Sequence, residues 1–145
     1  MRNHTASHLL AVAVRKALGE SIEIVGSGLD VDKARLDFAF GGSMRDYFPE
    51  VERIADTVIK ENRPIIVKTM PRDVAEKYVE KFGENLKTLP SQVQQVRIVE
   101  IENWHACACG GTHVKSTGEL ETIRLLSRGS KGKGVERIEF VSQNP

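Results

Sequence analysis

Between residues 5 and 18, Leu9, Leu10, Val12, Ala13, Val14, Ala17 and Leu18 are dense enough for a well-buried helix, with Asn3 placed to cap it and Gly19 to end it. The pattern then changes period. Residues 22–25 are apolar enough for a short strand, and KARLDFAF alternates Ala34, Leu36, Phe38 and Phe40 with Lys33, Arg35, Asp37 and Ala39. The intervening GSGLDVD reads as a hairpin connection. After Gly41 and Gly42, the residues Val51, Ile54, Ala55, Val58 and Ile59 mark one face of a second helix, with Pro49 in its first turn and Pro64 beyond its end.

IIVKTM predicts another strand. Pro71 then opens a shorter helix whose Val74, Tyr78 and Phe82 line one face and whose stop is Gly83. Residues 84–94 read as loop, VRIVEI as a strand, and CACGGTHVKSTG as irregular. LETIRLL and VERIEFV are strands joined by the basic, glycine-rich SRGSKGKG. About six strands and three helices result, and hairpin-linked strands favour a largely antiparallel sheet with helices on one face: a two-layer α+β domain.

Composition narrows the function classes. A chain of 145 residues suits one domain, residues 1–145, with a single sizeable core. Its apolar runs are far too short to span a bilayer, and polar residues at the start do not resemble a signal peptide, so no membrane partner and a cytoplasmic location are expected. The two cysteines, Cys107 and Cys109, are one residue apart, too close for an unstrained disulfide, which leaves thiol or metal chemistry. A net charge of +1 argues against a strongly basic coat, yet between Lys115 and Arg137 six basic residues face three acidic ones.

Two histidine clusters carry the chemistry. His4 and His8 are four apart on the first helix and so share a face, the spacing of helical zinc sites. Cys109 and His113 enclose Gly110, Gly111 and Thr112, where glycines let the backbone bend until both side chains face one centre. Imidazole and thiolate at tetrahedral count favour zinc over oxygen-seeking magnesium or calcium. Two other readings stay open: a half-buried histidine pair without metal, or a local structural zinc on His105, Cys107, Cys109 and His113, which leaves the first-helix pair unexplained. Cys107 lacks the four-residue spacing to His113. A zinc peptidase is excluded, because HTASH has Thr5 where such enzymes carry the glutamate base.

In order and separation, HTASHLL, KARLDF, RIVEIENW, CGGTHVKSTGE and GVERIEF resemble the editing domain shared by alanyl-tRNA synthetases and their freestanding relatives, the AlaX proteins, from His4 to Phe140. The related editing domain of threonyl-tRNA synthetases shares the histidine pair but matches the cysteine segment less well. The resemblance implies hydrolysis of seryl-tRNA(Ala), and of glycyl-tRNA(Ala), at the ester joining amino acid to ribose. It also implies zinc as cofactor on His4, His8, Cys109 and His113, and the tRNA(Ala) acceptor end as partner. Such an activity answers a need, because a pocket built for alanine cannot exclude glycine and rejects an added hydroxyl by only roughly a hundredfold.

Within that reading Thr5, Ser7 and Cys109 are the catalytic candidates. The hydroxyls of Thr5 and Ser7 are placed to recognise a serine side chain, or else to cap or back-bond the helix. Gly110, Gly111 and Thr112 are placed to present backbone amides, and Arg128, Lys131, Lys133 and Arg137 to hold the acceptor end. Four protein ligands would close a zinc site, so His4, at the helix start, is the candidate to loosen. Rival readings are a structural zinc module that binds RNA, an enzyme acting on a small amino acid derivative, and an excised synthetase domain.

Two departures from the family pattern stand out. Ile24 occupies the place of a frequent glutamine, and Glu121 that of the last glycine of TGEIG. The chain begins just before HTASH, as expected of the short freestanding form or of an excised domain.

Overall fold

The computed structural model describes residues 2–19, 22–30, 33–42, 44–132 and 134–143, with the side chains of residues 44, 127–132 and 143 excepted. Among these residues seven strands and three α-helices alternate: α1 (Arg2–Leu18), β1 (Ile24–Leu29), β2 (Ala34–Ala39), α2 (Phe48–Glu61), β3 (Ile65–Pro71), α3 (Arg72–Glu80), β4 (Gln95–Ile101), β5 (His105–Ala108), β6 (Thr122–Gly132) and β7 (Val135–Gln143). The strands form two sheets, in the orders β1-β2-β7-β6 and β3-β4-β5, and every pairing is antiparallel. The α+β class expected from the hairpins holds. The single expected sheet is instead two.

Each sheet has its own core. Leu9, Leu10 and Val14 of α1, Val51 and Val58 of α2, and Phe38, Ile138 and Phe140 of the larger sheet form one cluster. Ala75 and Val79 of α3 pack with Val96, Ile98 and Ala106 of the smaller sheet in the other. The expected face of α3 is therefore turned by one residue: Ala75 and Val79 are fully buried while Val74 is half exposed. The short alanine lets α3 approach the sheet, and Tyr78 and Phe82 pack at the flank.

Four boundaries also differ. α1 begins at Arg2, so Asn3 lies inside it and accepts a hydrogen bond from Ser142 N (3.0 Å) instead of capping. GSGL belongs to β1, not to the hairpin turn. A Cβ on Gly26 would lie 2.9 Å from Asp37 Oδ2, and one on Gly28 2.7 Å from Arg35 Nε, so the glycines make room for side chains of the neighbouring strand. His105, Ala106, Cys107 and Ala108 form a strand where an irregular segment was expected. Finally, most of SRGSKGKG continues β6, whose pairing with β7 extends to Gly132 opposite Val135.

The KSTGE stretch docks the end of α2. Thr117 is fully buried and donates from Oγ1 to Val58 O (2.8 Å), while Arg63 N donates to that hydroxyl (2.8 Å). Ser116 and Glu119 close a capping box around a short 3-10 turn. No helix among the described residues is long and apolar enough to cross a membrane.

Candidate metal centre

α1 is anchored by Ala6, Leu9, Leu10, Ala13 and Val14, which leaves His4 and His8 on a flank turned towards the loop after β5. That loop is fixed from β4. Arg97 donates from one guanidinium nitrogen to Cys109 O (2.8 Å) and Gly111 O (3.0 Å), and Cys109 N donates back to Arg97 O (3.1 Å). The residues at 4, 8, 109 and 113 thus converge: one ligand atom from each of His4, His8, Cys109 and His113 lies within 4.8 Å of every other.

The spacing suits a metal better than hydrogen bonds. Cys109 Sγ lies 3.4 Å from Nε2 of both His4 and His113. Zinc bonds of about 2.3 Å to sulfur and 2.0–2.1 Å to nitrogen give a tetrahedral S···N edge of about 3.6 Å. Gly111 N also points at the sulfur (3.4 Å), as suits a thiolate.

The surrounding residues orient the rings. Nδ1 of His113 pairs with Thr5 Oγ1 (2.9 Å), and that hydroxyl accepts from Val114 N (3.2 Å). Such a bond at the far nitrogen fixes the tautomer of a ligating imidazole. The His4 ring lies against Gly111, where a Cβ would stand 2.0 Å from Cε1. Glycine is therefore required there by space. Burial, and then the charge of neighbouring groups, keeps the histidines neutral: His113 is pushed down to about 4 by desolvation, His4 and Arg97. His8 is held well below the ordinary value by burial, His105, His113 and His4. Desolvation lowers His4 too, against a hydrogen bond to the backbone of Thr112. A neutral imidazole is the form that binds metal.

The other expected site residues divide. Thr5 is wholly buried, so its hydroxyl holds His113 and Val114 and does not face an open pocket. Ser7 is half-buried one turn after His4, while Gly110 and Thr112 are exposed on the loop. Arg137, a candidate for the acceptor end, is engaged within the sheet. Strand pairing sets it opposite Asp37, to which Nε (2.8 Å) and a terminal nitrogen (3.3 Å) both donate, so it neutralises a buried carboxylate. Lys133 lies outside the described residues, as do the side chains of Arg128 and Lys131, whose backbones continue β6.

The all-local ligand set does not assemble. His105 and Cys107 group with His8 instead. His105 Nε2 donates to Glu84 Oε1 (2.9 Å), and Arg15 donates to that same carboxylate (3.0 Å). Although burial works the other way, these two partners keep the Glu84 carboxyl below its ordinary value. Glu84 and Arg15 wall a cavity of about 570 Å³ together with Ile22, Glu23, Ile24 and Phe82. Arg97 and Glu84 escaped the sequence reading. Arg97 had one signal, a cation within the otherwise apolar run VRIV, whereas Glu84 sat in a loop with none.

Comparison with known proteins finds likenesses along this chain. Residues 96–139 match the threonyl and alanyl tRNA synthetase second additional domain. That match covers just under a third of the chain. Beyond the matched segment, 140 residues, 97% of the chain, are 39% identical to an alanyl-tRNA editing protein, AlaX-M, of Methanosarcina acetivorans. The AlaX-M of Methanosarcina barkeri is 36% identical over the same length, and the alanine–tRNA ligase of Pyrococcus furiosus is 39% identical over 144 residues. The chain spans just over half of these editing proteins, 56% and 57%, and 15% of the ligase.

Proposed function

We propose that this chain is a zinc-dependent hydrolase that removes wrongly attached serine, and glycine, from tRNA(Ala). The observation that carries the reading is the convergence of His4, His8, Cys109 and His113 from opposite ends of the chain, with Thr5, Gly111 and Arg97 fixing their orientation. Relatives named as alanyl-tRNA editing proteins, similar over nearly the whole chain, supply the substrate class.

Bound there, zinc supplies Lewis-acid chemistry able to polarise an ester carbonyl or acidify water. The chain's residues do the rest. His4 is the least buried of the three histidines and lies on the exposed side, at the start of α1, where a ligand is freest to move aside for substrate. Gly110 and Thr112 border it on the loop and offer backbone amides to an acyl group. The cavity that Glu84, Arg15 and Ile24 wall is the candidate acyl pocket, and Glu84 also bonds the buried His105. A serine hydroxyl gains a polar partner there that alanine cannot use.

The acceptor stem needs cations beyond the pocket. Arg128 and Lys131 of β6, with Lys133 next along the sequence, fill that role. Replacing all three by alanine lowers affinity for tRNA(Ala) and flattens its salt dependence by about one counterion per lost phosphate contact. Zinc content is unchanged.

The reading is tested by release of labelled amino acid from seryl-, glycyl- and alanyl-tRNA(Ala). Serine release well above alanine release supports it. Equal rates on serine and alanine remove the editing function, and binding without release on all three leaves a structural RNA-binding module.

A further inference from the structure

The second side-chain group, His8, His105 and Cys107, is not used by the four-residue centre except through His8. A ligand atom of each lies within 4.8 Å of the others, and Cys107 Sγ is 3.1 Å from His8 Nδ1. Register places Cys107 opposite Val99 and His105 opposite Ile101, so β5 presents both side chains from alternate positions of one strand, on one face.

His105 is built as a ligand waiting for a partner. Its side chain is 5% exposed. Nε2 sits on Glu84 Oε1 at 2.9 Å, and Arg15 at 3.0 Å keeps that carboxylate ionised, so the proton belongs on Nε2. Nδ1 then carries a lone pair, and it is buried with no hydrogen-bond partner among the described residues. A buried acceptor without a partner costs about 1–3 kcal/mol, which a metal bond removes. Carboxylate to imidazole to metal is the arrangement that orients ligating histidines elsewhere.

We propose that His105 and Cys107, together with His8, form a second position for a soft divalent ion, zinc by ligand type, beside the four-residue centre; with both positions filled the His8 ring bridges the two ions as an imidazolate, its N–H proton released to solvent. Imidazole and thiolate are the donors that zinc accepts and that magnesium and calcium decline. Three protein ligands leave one tetrahedral position open. Glu84, bonded to His105, also walls the 570 Å³ cavity. The proposal stands whether or not the domain hydrolyses aminoacyl-tRNA.

Metal-free full chain titrated with Co²⁺ alone tests it, with uptake counted by native mass spectrometry and thiolate ligation read from the near-ultraviolet charge-transfer band. The wild type takes up two ions. Cys107→Ser takes up one, with the band at about half its intensity, and Cys109→Ser retains a thiolate band carried by Cys107. Far-ultraviolet circular dichroism confirms that each variant is folded. A Cys107→Ser protein with wild-type uptake and band overturns the proposal, as does a folded Cys109→Ser protein with no thiolate band.

Discussion

Gly111 lies directly beneath the imidazole of His4: a Cβ at this glycine would stand 2.0 Å from Cε1 and 2.4 Å from Nδ1. No side chain fits while His4 keeps its place. Gly111→Ala is expected to push His4 out of the cluster and weaken zinc binding by about 10- to 100-fold, the scale on which disturbed ligand orientation acts. Gly110→Ala, with nothing within 4 Å of its Cβ position, is the control and leaves zinc affinity within about twofold. Competition with a chromophoric chelator measures both.

Thr5 joins α1 to the ligand loop through His113 Nδ1 and Val114 N. Thr5→Val keeps the shape and removes both bonds. It is expected to cost about 1–3 kcal/mol in stability, because buried groups lose their partner. Zinc affinity falls as the His113 ring loses its fixed tautomer, and Thr5→Ser restores most of it. Chemical denaturation and zinc titration of the two variants check the pair of effects.

Glu121 adopts φ 61° and ψ −66°, a conformation in which a non-glycine residue is strained, at the position where the family pattern has glycine. Its ion pair with Arg2, at 3.6 Å on the surface, offsets little. Glu121→Gly is therefore expected to stabilise the domain by about 1 kcal/mol. A thermal midpoint that falls instead would show that the turn is not strained.

Acidity acts on the metal-free protein through the histidines. His4, His8 and His113 all sit below the ordinary 6.5 in the folded chain, His113 at about 4, mainly because burial disfavours their charged forms. The unfolded chain thus binds protons that the folded chain refuses. Stability is whole above about pH 6.5 and falls as pH drops towards 4. Zinc, which binds the neutral rings, shifts this loss to lower pH. Urea midpoints measured from pH 7.5 to 4.5, with and without zinc, show the difference.

Legibility in the sequence followed physical cause. The four-residue spacing of His4 to His8 and of Cys109 to His113 was readable because converging ligands demand it, whether on a helix or around a glycine turn. The helices α1 and α2 showed through their apolar faces. Strand β1 showed only at its start, Ile24 and Val25, because Gly26 and Gly28 read as turn residues while in fact they admit Asp37 and Arg35 from the next strand. The pairing of Arg137 with Asp37 was hidden for a related reason: it depends on β2–β7 register across 100 residues, which local pattern does not encode. Likewise β5 is only four residues long and carries the polar His105 and Cys107, so no period announced it.

Ile24 packs against the larger core and also walls the cavity beside Glu84. Ile24→Gln introduces a polar group where a substrate hydroxyl would sit. It is expected to raise the ratio of serine to alanine release several-fold, with a small loss of stability. An unchanged ratio assigns the side chain to the core alone.

Metal dependence of hydrolysis tests the central claim most directly. Serine release from seryl-tRNA(Ala) is followed while zinc is stripped from the chain and restored, with Cys109→Ala treated in parallel. The account predicts that release falls at least a hundredfold on stripping, returns with zinc in the wild type, and does not return in Cys109→Ala. Undiminished release from protein shown by elemental analysis to hold no zinc would contradict it.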